Sequence, residues 1–338
     1  MSTAMQTEAI RIHAHGGPEV LRAETVALPA PGPGQARVRV AAAGVQYADV
    51  YEREGDHGGP HDAAPFPIAM GRAGAGVIET LGPGVCAVPP GIAQGARVGW
   101  IGPGAYAGHA LAPAARLVAL PDAVSFDVAA AWLLRGLTAE YLLRRLRPVG
   151  PGDTVLVHAA AGGMGLLLGQ WGAMLGARMI GTVGGAGKVA AAKAHGYDAV
   201  IDYSAGDFAP QVMDLTGGRG ADVILDGVGR AAFLPSLDCV RPRGMVVSYG
   251  TASGNVGAFD LQRLHSKSIV VTRPTLRSWI ADPAELAAGA AAVFAALETG
   301  RIATPIGARL PLREAAEAHR LLESRTLTAP VVLVPDGA

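Results

Sequence analysis

The sequence predicts an α/β chain in which an irregular, β-rich stretch leads into a doubly wound parallel sheet. Three observations carry this reading. The first third holds short strand-like runs cut by Pro and Gly turns. From Thr154 to Tyr249, short apolar strands alternate with helical segments. The first of those strands enters its helix through a Gly-rich turn.

In the first third, Ala36 to Val40 (ARVRV) alternates apolar and basic side chains, the period-two pattern of a half-buried strand. Turns are marked by PAPGPG at Pro29 to Gly34, GPG at Gly82 to Gly84 and PPG at Pro89 to Gly91, because Pro presets φ and Gly accepts positive φ. Near Phe126 the pattern changes: FDVAAAWLLRGLTAEYLLRRL predicts an amphipathic helical pair with a break at Gly136. Strands are expected at Thr154 to His158, Met179 to Val183, Ala199 to Asp202, Asp222 to Asp226 and Met245 to Tyr249, with helices between them, as in parallel βαβ units. Beyond Arg273 come an Ala-rich helix from Pro283 to Glu298, a short strand near Ala308, a helix from Arg313 to Ser324 and a last strand, VVLV.

The 338 residues suit about two domains, and with half of them hydrophobic there is ample side chain to bury. Lys plus Arg equal Asp plus Glu at 28 each, so no overall charge favours nucleic acid or an acidic membrane surface. Cys86 and Cys239 are too few for a disulfide framework or a thiolate-rich zinc cage, which fits a reducing, cytoplasmic compartment. No signal peptide is visible at the N-terminus, and apolar runs are broken well before the ~20 residues a membrane span needs.

The most informative stretch is TVLVHAAAGGMGLLLGQ. Small residues let backbone approach a pyrophosphate, and free N–H groups at a helix start hold the anion without a cationic side chain. A Gly cluster alone marks plain turns as often. Its place between strand and helix, in a run of βαβ units, points to a dinucleotide. Sites for NAD usually carry an acid at the end of the next strand, on the ribose 2′-OH. Here that strand runs into Gly184, Gly185, Ala186, Gly187 and Lys188, with no acid. Such a bend accommodates a 2′-phosphate, each charge-assisted hydrogen bond contributing ~1.5–3 kcal/mol, and points to NADPH. Lys188 also fits a plain solvated lysine at a helix start.

From Trp132 to Lys188 the chain resembles the zinc-independent quinone oxidoreductase (zeta-crystallin-like) family of the medium-chain dehydrogenase/reductase superfamily. The motifs are WLLRGLTAEYLLRRL, VLVHAAAGGMGLLLGQW and LGARMIGTVGGAGK, and HGGPEVL, LDCVRPRGMVVSYGTASG, VTRP and LLESR extend the match toward both ends. The resemblance implies a GroES-like β domain from residues 1–130 and 275–338, a Rossmann-type NADPH-binding domain from 131–274 with the active cleft between them, and a homodimer formed through the nucleotide domains. It implies hydride transfer to quinones or α,β-unsaturated carbonyls. By position, Ala161, Gly163 and Met164 would meet the pyrophosphate; Gly184, Lys188, Tyr203 and Arg325 the 2′-phosphate. Thr138, Val228, Tyr249, Gly250 and Ser253 would line the nicotinamide, and Gln46 and Tyr51 would face the substrate as the catalytic pair.

Zinc-dependent relatives place a His-Glu pair where this chain reads GRAGAG, Gly71 to Gly76, so no metal is expected. Two departures are Gln46, where the family usually has Asn, and Ala73, where it often has an acid; the loop after Tyr51, EGDHGGPHDAAPFP, is also longer. In that loop His57 and His61, beside Asp56 and Asp62, read as a substrate-access loop or a metal site. His158 reads as a satisfied, partly buried histidine, whereas Arg135 fits either a place near the cofactor or the surface, and Arg72 is similarly open. Ser125 and Ser248 lack a nucleophile-elbow context. Two rival readings are an enoyl- or ketone-type reductase of a biosynthetic pathway and a non-catalytic NADPH-binding structural or RNA-binding protein.

Overall fold

The computed structural model describes residues 4–56, 65–85, 91–324, 326–327 and 329–337. His57, His61, Asp62, Cys86 and Arg325 lie outside these residues. The chain divides into two compact units, the first comprising Met1–Gly136, Asp282–Glu298 and Ala303–Ala338, the second Leu137–Ala281 and Thr299–Ile302.

Strands β1 (Met5–Ile12), β2 (Arg22–Leu28), β3 (Gln35–Gly44), β4 (Ile68–Ala69), β5 (Ala73–Leu81), β6 (Arg97–Ile101), β7 (His109–Pro113) and β8 (Leu117–Ala119) belong to the first unit. The second holds β9 (Thr154–Val157), β10 (Arg178–Val183), β11 (Ala199–Asp202), β12 (Ala221–Asp226), β13 (Val240–Ser248) and β14 (Val270–Thr272). Then β15 (Ala308–Pro311) and β16 (Val331–Val334) return to the first.

In the first unit, β15-β16-β3-β5-β6-β8 form one sheet with β7 also on β3, and β2-β1-β4 form another. Alternation in β3 puts Ala36, Val38 and Val40 inward and Arg39 outward, as the sequence pattern requires. Ile10, Ile12, Val38, Ile78, Val98, Trp100, Leu117 and Leu333 build its core. Helix α1 (Tyr47–Glu54) follows β3, and α2 (Phe126–Glu140) follows β8.

The expected break at Gly136 does not occur: α2 runs through it and continues as a π-helical turn, Tyr141–Leu146. Gly136 serves close packing instead, since a Cβ there would lie 2.5 Å from a methyl of Val293, in the helix Pro283–Glu298. The Ala-rich helix spans Pro283–Glu298 as expected, and the predicted Arg313-to-Ser324 helix is α-helical over Ala315–Glu323.

The second unit is a six-stranded parallel sheet in the order β11-β10-β9-β12-β13-β14. Numbered from its own first strand this is 3-2-1-4-5-6, the doubly wound Rossmann order. Strands buried on both faces read as continuous apolar runs, and β9 and β12 are buried along their whole length. No helix among the described residues is long and apolar enough to cross a membrane.

Candidate active site

The strand order reverses between β9 and β12, so the crevice at their C-terminal ends is where this fold binds ligands. After β9 the chain passes His158, and Ala159 takes a left-handed conformation (φ 54°) that starts a tight turn. Ala160 N–H donates to the Thr182 carbonyl at 2.9 Å and Gly162 N–H to the Ala159 carbonyl at 2.9 Å, locking the turn to β10. Helix α3 (Gly163–Met174) then begins at Gly162 with no side-chain cap and no acid in its first turn. Its first N–H groups have no partner within the helix, which makes this end an anion site. Gly165 is required by contact: a Cβ would lie 2.3 Å from the Ala159 carbonyl oxygen and 2.6 Å from Ala160 backbone atoms. Ala161, Gly163 and Met164 are thus brought together at one helix end.

At the end of β10, Gly184 and Lys188 are exposed, and Gly185 adopts φ 143°. Tyr203, 44% exposed, lies against Gly184, where a Cβ would meet its hydroxyl at 2.7 Å. Gly184, Lys188 and Tyr203 therefore share one corner. The sequence reading missed Asp202 there: its carboxylate accepts from Ser204 N and Oγ at 2.9 and 2.7 Å. The Ser204 hydroxyl and the Ser204 and Gly185 N–H groups hold it below the usual carboxylate range.

At the end of β12, buried Asp226 accepts from Val228 N at 2.8 Å and Gly229 N at 3.0 Å. Burial pushes its carboxyl up to about 6, against those two N–H groups. Its backbone carbonyl accepts Tyr249 N and Gly250 N, and Val228 O accepts from both Ser253 N and Ser253 Oγ at 2.8 Å. Val228, Tyr249, Gly250 and Ser253 thus form one bonded cluster, while Thr138 sits half-buried on α2. A cavity of about 580 Å³, lined by His158, Tyr203, Phe208, Val228, Ala231 and Pro235 among others, opens beside these loops. That volume suits a small organic ligand.

His158 is fully buried at the turn's entrance. Ser236 Oγ donates to Ala232 O at 2.7 Å, so it accepts from the His158 Nε2–H at 2.8 Å, leaving Nδ1 to accept from Thr182 Oγ1 at 2.8 Å. Burial drives the imidazole down to about 3, so the ring is neutral.

Gln46 and Tyr51 lie in the first unit, Gln46 as the N-cap residue of α1 and Tyr51 one turn in. This helix turns charge inward: Asp49, Glu52 and Arg53 are buried, whereas Tyr47 and Tyr51 are only half-buried. Arg72 grips Glu52 with two hydrogen bonds of 2.9 and 2.6 Å, and Arg53 grips Glu323 with two of 3.1 and 2.7 Å. Arg135, open between two readings in the sequence, is buried. The Gln46 side-chain nitrogen, Nε2, is buried with no hydrogen-bond partner among the described residues. Sequence reasoning passed over Asp49, Tyr106 and His319; the spacing of Asp49 three residues after the N-cap Gln46 was the available signal.

A 3-2-1-4-5-6 sheet carrying an uncapped helix start at its first strand, together with a separate β unit, defines a dinucleotide-binding oxidoreductase. Comparisons with known proteins agree. Residues 32–122 match the family model "Alcohol dehydrogenase GroES-like domain" and residues 163–295 match "Zinc-binding dehydrogenase". The chain is 42% identical to a quinone oxidoreductase of Pseudomonas aeruginosa over 96% of its own length and 99% of the relative's. It is 40% identical to a 2-haloacrylate reductase of a Burkholderia species, over 96% and 98%. The crystal structure of Escherichia coli quinone oxidoreductase complexed with NADPH superposes with a TM-score of 0.91 at 37% identity, covering 97% of this chain and all of that one. The chain belongs to the quinone oxidoreductase family of the medium-chain dehydrogenase/reductase superfamily.

Proposed function

We propose that this protein uses NADPH to reduce quinones or α,β-unsaturated carbonyl compounds, without zinc. The observation that carries this reading is the uncapped start of α3, pressed onto the turn after β9 by Gly165, beside the Gly184-Lys188 bend. The uncapped start of α3, drawn close against the Ala159–Ala160 backbone because Gly165 has no Cβ, fits a pyrophosphate held by Ala161, Gly163 and Met164. Gly184, Lys188 and Tyr203 take the 2′-phosphate, with Arg325 assigned to it by family position. Thr138, Val228, Tyr249, Gly250 and Ser253 flank the nicotinamide, and the cavity lined by Phe208, Val228 and Pro235 takes the adenine end. When bound, NADPH supplies the hydride. The chain's own part is to hold the acceptor: the unpartnered Gln46 Nε2 orients its carbonyl oxygen, and the Tyr51 hydroxyl stabilises the charge that develops there.

The run GRAGAG, Gly71 to Gly76, stands where zinc relatives carry their His-Glu pair, which supports metal-free chemistry. The GroES-like catalytic part is assigned to residues 1–130 and 275–338 and the nucleotide part to 131–274. The homodimer reading is supported by β14, the edge of its sheet, where Val270 is 47% exposed and nearby Leu261 67%. The similarity to a 2-haloacrylate reductase favours activated acrylates as a second acceptor class.

The test is NADPH oxidation at 340 nm with 1,4-benzoquinone, a naphthoquinone, an acyclic enone, a 2-haloacrylate and a simple ketone, each also run with NADH. Turnover of quinone or enone with NADPH in metal-free buffer is the expected result. Turnover of the ketone alone, or dependence on added zinc, overturns the reading.

A further inference from the structure

The peptide that leads from β3 into α1 is held from both sides by charged groups that the proposed reaction does not use. Asp49, fully buried, accepts three donors: the Gln46 N–H at 2.8 Å and the Tyr106 hydroxyl at 3.0 Å on Oδ2, and the Arg72 N–H at 2.8 Å on Oδ1. Arg135, 7% exposed, donates to the Val45 carbonyl at 3.1 Å and to the Ala131 carbonyl at 2.5 Å. One group thus pulls on Val45 O and the other on Gln46 N, the residues on either side of a single peptide bond.

The Tyr106 contact is itself directed. Arg53 donates from Nη1 to His319 Nδ1 at 3.0 Å, so the neutral ring carries its proton on Nε2, which lies 3.3 Å from the Tyr106 hydroxyl. The phenol therefore accepts from His319 and gives its own proton to Asp49. The bonds from Arg53 Nη1 to His319, from His319 to Tyr106 and from Tyr106 to Asp49 thus run in one direction, toward the carboxylate. Protonation of Asp49 would turn one acceptor position into a donor and remove the negative charge that strengthens all three contacts, loosening its hold on the Gln46 N–H.

We propose that Asp49, with Arg135 opposite it, is the positioning residue that fixes the Val45-Gln46 peptide and so aims the Gln46 side-chain amide at the substrate oxygen. This rests on the substrate-facing role given to Gln46 above. The unpartnered, buried Nε2 makes the placement matter: a donor withheld from water delivers its hydrogen bond only where the backbone holds it. Among the described residues, a buried guanidinium bonded to carbonyls and a buried carboxylate bonded to uncharged donors also balance each other's charge across that peptide.

The charged and titratable groups around Asp49 are Glu52 and Arg53 on its own helix, Arg72 and Tyr106 on the flanking loops, Arg135 on α2 and His319 on the helix Ala315–Glu323. Burial, opposed by the three donors and raised further by Glu52, sets the Asp49 carboxyl at about 7. The ordered, ionised state therefore fills in as pH rises through neutrality.

The test uses full-length Asp49→Asn and Arg135→Met. NADPH affinity by fluorescence titration and thermal midpoint show that each variant is folded and loaded. Wild-type kcat/KM for the best quinone or enone should rise about tenfold per pH unit below pH 7 and level off above it. Asp49→Asn should be at least tenfold slower at pH 8 and flat across that range, with NADPH affinity within twofold of wild type. Hydrogen exchange of the peptide covering residues 44–50 should be faster in both variants, with residues 154–174 unchanged. Should Asp49→Asn retain wild-type kcat/KM and its pH limb, or leave exchange at 44–50 unaltered, the positioning role is wrong. Failure of wild type on every quinone and enone would instead sink the proposed function, a distinguishable result. If Asp49→Asn does not fold, Arg135→Met decides by the same exchange and kinetic readouts.

Discussion

Replacing His158 with Leu removes a titrating group from the second unit while keeping a side chain of similar bulk. At pH 7 the loss is local: Ser236 keeps its bond to Ala232 O, but the Thr182 hydroxyl is stranded in the interior. A stranded buried hydroxyl costs about 1–3 kcal/mol. The pH dependence is the sharper part. In the folded chain His158 is held down to about 3 from an ordinary 6.5, so below 6.5 the unfolded chain takes a proton that the folded chain refuses. Its contribution is therefore present above pH 6.5 and drains away as pH falls toward 3. Between pH 7 and pH 5 that amounts to about 2 kcal/mol. Asp49 and Asp226, both raised, act with the opposite sign, favouring the fold as pH falls, but they are common to both proteins and cancel in the difference. Urea unfolding followed by tryptophan fluorescence at pH 7, 6 and 5 should show His158→Leu weaker at pH 7 and the gap closing by pH 5. A gap independent of pH would mean that the ring titrates in the fold as it does in water, and the reasoning would fail.

Gly165→Ala should lower NADPH affinity at least tenfold and destabilise the fold by about 1–3 kcal/mol through overpacking, because its Cβ meets backbone that cannot step aside; calorimetry and a cofactor titration check both. Lys188→Ala should weaken NADPH by about one to two orders of magnitude while leaving NADH within twofold, read by binding of 2′,5′-ADP against AMP. Tyr51→Phe should reduce kcat about 10²-fold with NADPH affinity unchanged, and unaltered kinetics would remove that hydroxyl from the chemistry.

The parts legible in the sequence are those whose physics is local. β11 and the helix Pro283–Glu298 fall at their expected residues because an apolar run, a period and a bounding turn lie within a few positions. The turn from His158 to Gly165 was legible because small residues at fixed spacing permit that close packing and little else does. Gly136 was misread because its tightness comes from Val293, distant in the chain. Helix α1 shows the other limit: YADVYERE is rich in charge, yet Asp49, Glu52 and Arg53 are buried. Their partners, Tyr106, His319 and Glu323, are supplied by segments up to 270 positions away. Asp202 escaped for a related reason: it is remote in sequence from the Gly184 bend but adjacent to it across the sheet.

The pairing of β16 with β3 sets an order on the birth of the molecule. Leu333 and Val332 sit opposite Ala43 and Gly44, and the Val45 N–H donates to Val331 O at 3.0 Å. The strand that opens the path to α1 thus waits for a neighbour made nearly three hundred residues later. All six strands of the parallel sheet have been synthesised by Thr272, when β3 still has a bare edge at its Ala43–Gly44 end. At roughly 5–20 residues per second, β16 follows several seconds behind. The nucleotide unit can be shaped on the nascent chain before β16 exists, whereas the unit bearing Gln46 and Tyr51 is completed only once β16 has been made.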